Sequence, residues 1–407
     1  MYAYVTALLI FSVSASFANE NCKITNINNF YNYVRDNGPT LREVEKQKEQ
    51  VSSEIDLAEQ RPNPQVDFDY LKGDQFGIDV NNYTLSAQHI IEFGSKRDKR
   101  ISKAKAFKTL NESKLDLSLY NSNSNSALIY QKVAQLAILT ESVKEASNTF
   151  DKVIKKLASR KRLNPEETVS LSTLRLASND YKAQLNDLEN QKNLLEGKLE
   201  FFTKCESLKP KYHNFKFPES DSVTDSNEQS GLVKLEDFKI NLASEELEVQ
   251  KSLGYSNIQI GPMMEYQTQG NDEFISAGVS ISFALPLFHT NGGGKLKALN
   301  GLRTQRIQSS NAKNMLLIEK KNLMKKYSRS LRTYQNMPTL KELEKKHIQV
   351  ESLFARGVVS IPMTIESHRQ QVDFLRSRFE TENDLLSTYI KINLIDGNLK
   401  GFDNLIR

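Results

Sequence analysis

The 407-residue chain contains no tryptophan, only two cysteines and only five histidines. After the first twenty residues it also lacks an apolar run of the roughly 18 to 20 residues that a membrane-spanning helix requires. It has no HExxH motif, no other spacing typical of metal ligands and no nucleophile elbow. We therefore expect no catalytic, cofactor or metal site. The chain is either a soluble protein or a β-barrel protein, whose alternating strands escape hydropathy averages.

The first residues are typical of an export signal. An apolar stretch from Val5 to Val13 precedes Ser16-Phe17-Ala18, which places small residues where a signal peptidase cleaves. We therefore predict a signal peptide at 1–18. Export brings thiols into an oxidising compartment, where Cys22 and Cys205 either form a disulfide or remain two unpaired thiols. The net charge of +5 implies no nucleic-acid partner, because exported proteins rarely meet nucleic acid.

The chain contains an internal repeat with a period of about 196 residues. The segments Leu157–Glu166 and Leu353–Pro362 each join two helical stretches, and Arg160 aligns with Arg356. Each half predicts a helix, two strands, a long helix, a turn and a returning helix. A polar stretch that contains proline separates the halves. The predicted organisation is a first repeat at 19–205, a linker at 206–231, a second repeat at 232–400 and a C-terminal tail at 401–407.

Four short segments alternate between apolar and polar side chains, which is the period of a strand with two different faces. In the clearest case, every second residue from Ile275 to Leu285 is apolar, and the residues between them are small or polar. Segments of about ten residues match tilted transmembrane strands, although a soluble sandwich with one wet face would alternate in the same way. The predicted strands are 65–76, 83–93, 256–268 and 274–288, with turn residues within Gly73–Asn82 and Gln269–Asp272.

Apolar residues three and four positions apart predict coiled-coil seams on three long stretches. The seam that begins at Leu171 continues without a break to Phe202, and similar seams begin at Ile129 and Ile365. Asn164-Pro165-Glu166-Glu167 has the cap, the proline and the acidic first turn of a helix start. The sequence therefore predicts two antiparallel helical hairpins, with turns near 157–165 and 354–362.

The lengths of the predicted helices are related in the same way in both halves. The two long ones, from near Lys96 to Lys156 and from near Lys295 to Phe354, run about 60 residues or on the order of 90 Å each. In each half the summed length of the preceding helix and the returning helix equals the length of the long helix. The chain therefore runs from mid-height up to the strands, down the full length of the bundle, and back to mid-height. The stretch Ser118–Ser126, which is poor in helix formers, is either a local irregularity or plain helix surface.

Four strands cannot close a barrel. Two copies of the chain would give eight strands, whose inward side chains nearly fill the interior. Three copies would give twelve strands and an open lumen. We therefore expect a homotrimer.

Four short motifs occur along the chain in a fixed order and at the spacing of the repeat. They are Arg61-Pro-Asn-Pro64, Glu92-Phe-Gly-Ser-Lys-Arg97, Leu285-Pro-Leu-Phe-His-Thr-Asn-Gly-Gly-Gly294 and Phe354-Ala-Arg-Gly-Val-Val-Ser360. In this arrangement the chain resembles the outer membrane efflux protein family, the TolC-like outer membrane factors, and the third motif is similar to its cation-efflux branch. The resemblance implies a mainly α protein with a small membrane β-barrel part. Long coiled-coil hairpins and four transmembrane strands per protomer would form a trimeric duct.

The resemblance also implies a location and partners. It places the protein in the outer membrane of a Gram-negative-type cell, in contact with outer-membrane lipid and with a long periplasmic extension. A periplasmic adaptor (membrane fusion) protein would link it to an inner-membrane transporter, in an efflux or type I secretion system, and the chain would not be an enzyme. The alternative is a periplasmic or surface coiled-coil scaffold without a pore.

The resemblance places both helical turns at the docking end. The first turn is densely basic and either contacts an adaptor or is a solvated turn. Gly357 in the second turn also suits the left-handed position just past a helix end. Glu366 is either an acid that faces the lumen as a gate or an ordinary exposed glutamate. The predicted docking residues are Lys155, Lys156, Arg160, Lys161, Arg162, Arg356 and Gly357.

Overall fold

The computed structural model describes residues 24–206, 208–219, 231–288 and 290–406. The predicted signal peptide at 1–18 and Cys22 lie outside these residues. Within them the chain is mostly helical and has one four-stranded antiparallel sheet, which agrees with the mainly helical class that the family resemblance implies. None of the described helices is long and apolar enough to cross a membrane.

The two halves have the same order of elements, except for a short additional helix at each end and a break that divides the long helix of the second half. The first half contains α1 (Ile27–Asn37), α2 (Pro39–Glu59), β1 (Gln65–Gln75), β2 (Ile78–Ile91), α3 (Lys96–Ala158) and α4 (Pro165–Thr203). The second half contains α5 (Leu232–Ser252), β3 (Ile258–Gln269), β4 (Asp272–Phe283), α6 (Gly292–Asn336), α7 (Leu340–Ala355), α8 (Ile361–Asp396) and α9 (Gly401–Ile406). Helices α1 and α9 are absent from the sequence prediction, which places only a tail after residue 400.

The sheet has the order β1-β2-β3-β4, and its first hairpin is longer than predicted. Strands β1 and β2 stay paired up to Gln75↔Ile78, so the turn lies within the predicted range Gly73–Asn82 but is shorter than that range, and β2 begins at Ile78 rather than at 83. The turn consists of Phe76 and Gly77, whose φ angles of 57° and 82° suit a two-residue hairpin turn that follows the strand twist. Strand β4 ends at Phe283 rather than at 288, because its partner β3 begins at Ile258, which pairs with Phe283.

The sheet has one apolar and one polar face, as the alternation predicts. Residues paired across strands lie on the same face, and Tyr70 pairs with Tyr83, which pairs with Tyr266. The ring centroids of these tyrosines are 4.8 and 5.9 Å apart, so they form a row across three strands on the apolar face. On the same face Phe68 and Val279 are both 66% exposed. No described part of the chain therefore covers the apolar face.

The backbones of β2 and β3 approach each other closely at Gly261. A Cβ on Gly261 would lie 1.8 Å from the carbonyl oxygen of Ala87, so only glycine fits there. Pro262 follows and has no N–H to donate. This dipeptide explains why the β2–β3 pairing is interrupted between Ser86↔Met263 and His89↔Ile260.

The helices pack as the predicted hairpins. Helix α3 has 63 residues, about 95 Å at the usual rise, and packs against α2 along one part and α4 along another. The seam of α4 is buried at Leu171, Leu174 and Tyr181, which confirms the coiled-coil prediction.

The second long helix is not continuous, so the prediction of one helix from Lys295 to Phe354 is wrong. It is divided into α6 and α7 at Met337-Pro338-Thr339. Pro338 cannot continue the helix hydrogen bonds, and Thr339 starts α7 with a reciprocal capping box to Glu342. The buried guanidinium of Arg378 on α8 donates to the carbonyl of Pro338 at 3.1 Å and thereby holds the break.

A hydrophobic core lies at mid-height, between the sheet and the helical turns. It contains residues from α1, α3, α4, α6, α8 and α9, and the non-helical segment 208–219 packs into it through the buried ring of Phe215. The predicted linker is therefore in part a core element. The stretch Ser118–Ser126 lies within the continuous helix α3, and Ser124 and Ser126 are completely buried. It is neither an irregularity nor plain surface.

Candidate functional site

The first tip turn, residues 159–164, joins α3 to α4 at the end of the molecule away from the sheet. Asn164 caps α4 by accepting from the backbone N–H of Glu167 at 2.7 Å, and the Glu167 carboxylate accepts from the backbone N–H of Asn164 at 3.1 Å. Leu157 is buried beneath the turn. The cap that the sequence predicts is confirmed, and it gives this turn a defined shape.

The second tip turn, residues 356–360, joins α7 to α8. Gly357 has a φ of 74°, and its N–H donates to the carbonyl of Phe354 at 2.9 Å while the N–H of Val358 donates to that of Leu353 at 3.0 Å. These two bonds form a Schellman motif, which requires a left-handed residue after the helix. Gly357 therefore has the conformation that its position predicts.

Both tip turns lie at the same end of the helical bundle. One hydrophobic cluster contains Val143, Phe150 and Leu157 of α3 together with Leu343 of α7 and Val372 of α8. The rings of Phe150 and His368 are in edge-to-face contact, with centroids 5.4 Å apart. The structure thus brings together the two turns that the sequence assigns to docking.

The basic residues of the first tip turn differ in their surroundings. The guanidinium of Arg160 forms an ion pair with Glu167, the residue of the capping box, so part of its role is to support the turn. Lys161 and Arg162 are exposed, and neither forms an ion pair with the residues that the structure describes. Lys155 and Lys156 are also exposed, in the last turn of α3. In the second tip turn Arg356 is exposed as well, and its Nε donates to the carbonyl of Ser352.

Glu366 lies on α8, close to the second tip turn. Its carboxylate accepts from Arg369 at 2.7 and 2.9 Å and from Gln370 at 2.9 Å. The Arg369 guanidinium, followed by the Gln370 amide, lowers the pKa of Glu366 to about 2. The carboxylate is thus ionised at any physiological pH, but its charge is shared with Arg369.

The predicted disulfide involves a residue outside the described part of the chain. Cys205 is buried just after the end of α4, beside the mid-height core. Cys22 lies outside the described residues, so the pairing remains a prediction.

Two of the five histidines, which show no metal-ligand spacing in the sequence, come together in the fold. His347 and His368 lie together with Glu351 near the second tip turn. The only sequence signal is the four-residue spacing of His347 and Glu351, which places them on one side of a helix. His368 joins them because the α7–α8 hairpin folds back, and spacing along the chain does not reveal this.

The chain matches no protein-family model and no curated protein sequence, but it is similar to solved structures along most of its length. The outer membrane protein VceC of Vibrio cholerae is 13% identical, with a TM-score of 0.65, over 91% of this chain and 96% of that one. The CmeC outer membrane channel of Campylobacter jejuni is 10% identical, with a TM-score of 0.67, over 91% and 85%. The MtrE outer membrane channel of Neisseria gonorrhoeae is 11% identical, with a TM-score of 0.61, over 92% and 88%. The chain therefore has the fold of these outer-membrane proteins.

Proposed function

We propose that this protein is one subunit of a homotrimeric outer-membrane channel that gives substrates a way out of the cell. The observation that carries the proposal is the uncovered sheet at one end of a long helical bundle. That sheet has an apolar face, a polar face and two edge strands, β1 and β4, each paired on one side only among the residues that the structure describes. Lipid would cover the apolar face, and neighbouring copies would cover the edges.

Physical chemistry argues against a sheet of this kind in water. Exposed edges are templates for aggregation, and a large apolar patch marks a surface that something else covers. Three copies joined edge to edge would close twelve strands into a barrel with an open lumen. The polar face would then line the lumen, and every edge would be paired.

The dimensions of the apolar face suit a bilayer. Tyr266 in the tyrosine row and Ile258 at the start of β3 lie on the same face, about 26 Å apart along a strand. With the usual tilt of a barrel strand this becomes about 20 Å of height, close to the apolar band of outer-membrane barrels, which aromatic residues flank. The row of Tyr70, Tyr83 and Tyr266 would form one of these aromatic girdles.

The helical part would extend into the periplasm and carry the docking end. The exposed cations Lys161 and Arg162 at the first tip turn and Arg356 at the second would contact a periplasmic adaptor protein, which in turn would bind an inner-membrane transporter. Such charges mainly steer encounter and set register between partners. Glu366 would face the lumen near the tip. The shared fold with proteins described as outer membrane channels supports this arrangement.

The proposal is tested by expressing the full chain in a Gram-negative host and separating the membranes. We expect the protein in the outer membrane, extracted only by detergent and trimeric by light scattering, and we expect stepwise ion conductance when it is added to a planar bilayer. A protein that leaves the periplasm without detergent and gives no conductance would be a coiled-coil scaffold without a pore. That result would overturn the proposal.

A further inference from the structure

Three side chains that can each donate a lone pair to a metal ion lie close together inside the α7–α8 hairpin. His347 and Glu351 lie one turn apart on α7, and His368 lies on α8 opposite them. One ligand atom from each of the three lies within 4.8 Å of the others. His368 is 2% exposed and His347 is 8% exposed, so both imidazole rings are removed from water, while the Glu351 side chain is partly exposed.

The hydrogen bond at one ring nitrogen of His368 determines whether the other ring nitrogen carries a proton or a free lone pair. Its Nδ1 lies 2.8 Å from the carbonyl oxygen of Thr364, which can only accept, so Nδ1 carries the proton. Nε2 then keeps its lone pair when the ring is neutral, and it lies 3.1 Å from Oε1 of Glu351. Two acceptors at this distance repel each other unless a cation or a proton lies between them.

A second contact of the same kind lies next to the first. Nε2 of His347 is 3.0 Å from Oε1 of Glu145 on α3. Both Nε2 atoms are buried, and neither has a hydrogen-bond partner in the described part of the protein. Buried nitrogens of this kind are seldom left unsatisfied.

We propose that His347, Glu351 and His368 bind a divalent metal ion of the Zn²⁺ class. Two imidazole nitrogens and one carboxylate are a ligand set that Zn²⁺ uses, with metal–ligand distances of about 2.0–2.2 Å. Ligands at these distances around a tetrahedral ion are about 3.3 Å apart. His368 Nε2 and Glu351 Oε1 are 3.1 Å apart, and all three ligand atoms lie within 4.8 Å of one another, so side-chain rotations that bring His347 closer complete the site. Glu145 or a water molecule supplies the fourth ligand.

Neighbouring groups already orient the ligands. The Thr364 carbonyl fixes the tautomer and ring direction of His368, and the Thr149 hydroxyl on α3 lies 3.5 Å from Glu351 Oε1. Such outer partners are the usual companions of metal ligands. The edge of the Phe150 ring against His368 adds an apolar wall.

The position of the cluster gives the ion a structural role. Helix α7 is separated from α6 at Pro338 and packs mainly on α8. An ion held by both helices would cross-link the hairpin about ten residues before its turn, and Glu145 would extend the link to α3. Metal binding at this place does not depend on the proposed channel function.

The test uses the purified full chain after treatment with a chelator. Titration with Zn²⁺ in a calorimeter should show one ion per chain, and Co²⁺ should give the intense visible absorption of a tetrahedral centre. Glu351→Gln and His368→Gln should each weaken Zn²⁺ binding at least tenfold and abolish the Co²⁺ spectrum. Circular dichroism checks that the variants are folded. If a variant does not fold, the number of ions bound by the wild type still tests the proposal.

Two matched variants control for binding elsewhere. Glu344→Gln changes an exposed carboxylate on the same helix, and His213→Gln changes a histidine beside the mid-height core. Both should bind Zn²⁺ as the wild type does. The proposal is overturned if the wild type binds no ion, if the site variants bind as tightly as the wild type, or if the control variants lose binding equally.

Discussion

At the scale of single residues, the side chain of Glu382 shows how the mid-height core holds a buried acid. It is completely buried on α8, where Oε1 accepts from the Gln131 amide at 2.8 Å and Oε2 accepts from the Tyr212 hydroxyl at 2.7 Å. Gln131 also donates to the carbonyl of His213 at 2.7 Å. This network fastens the segment 208–219 to α3 and α8.

Burial raises the pKa of Glu382 to about 7, although the hydrogen bonds from Tyr212 and Gln131 and the charge of Arg378 oppose the shift. Between its ordinary pKa near 4.5 and about 7, the folded protein therefore binds more protons at this site than the unfolded chain. The contribution of Glu382 to stability is then most favourable below about pH 4.5 and is lost as the pH rises through 7.

We expect Glu382→Gln to remove this loss, because a neutral amide imitates the protonated acid. At pH 8 the variant should be more stable than the wild type by up to about 3 kcal/mol, and at pH 4.5 the two should be similar. Thermal unfolding followed by circular dichroism between pH 4.5 and 8 measures the difference. Glu380→Gln, at an exposed position of the same helix, is the control and should give no such trend. A constant difference between Glu382→Gln and the wild type at all pH values would contradict the assignment.

At the scale of elements, β4 separates the two environments that the proposed barrel requires. Val279 lies on the apolar face and is 66% exposed in the single chain. Ser280 lies on the polar face, where its hydroxyl accepts from the Gln88 amide at 3.1 Å and its cross-strand partner is Gly261.

We expect Val279→Arg to block membrane assembly and Ser280→Arg to be tolerated. A cation on the lipid face costs about 2 to 4 kcal/mol at the bilayer midplane, whereas a wet lumen adds little cost. The amount of trimer in the outer-membrane fraction, measured for both variants beside the wild type, tests the difference. Equal trimer yields for the two variants would mean that the two faces do not have these environments.

At the scale of the whole molecule, the tip turns and the sheet lie at opposite ends of α3, on the order of 95 Å apart. A substitution at the tip therefore makes no direct contact with the strands. Arg160 is best left in place, because its ion pair with Glu167 supports the helix cap. Lys161 and Arg162 are the residues whose charge can be reversed with the least effect on the fold.

We expect Lys161→Glu combined with Arg162→Glu to leave a folded, inserted trimer that no longer supports export. Reversed charges weaken encounter and register with a docking partner, so cross-linking from the tip to an adaptor should also be lost. Lys198→Glu combined with Lys209→Glu, two exposed mid-height positions, changes the net charge equally and should be tolerated. Wild-type export and cross-linking in the tip variant would show that the first tip turn is only solvated.

Local features of the fold were predictable from the sequence because neighbouring residues decide them. The alternation from Ile275 to Leu285, the seam from Leu171 to Phe202 and the cap at Asn164 depend on residues a few positions apart. The break at Pro338 was also predictable from neighbouring residues, because Thr339 and Glu342 have the spacing of a capping box. The prediction of one continuous long helix did not take this helix-start signal into account.

Other features depend on which distant segments pack together, and only the tertiary structure decides those. Glu382 is an ordinary polar position on its helix until Gln131 and Tyr212 enclose it, more than 150 residues away along the chain. His347 and His368 become neighbours only when the α7–α8 hairpin closes. Burial and donor geometry are properties of the enclosed space, and a linear pattern records only which face of an element is apolar.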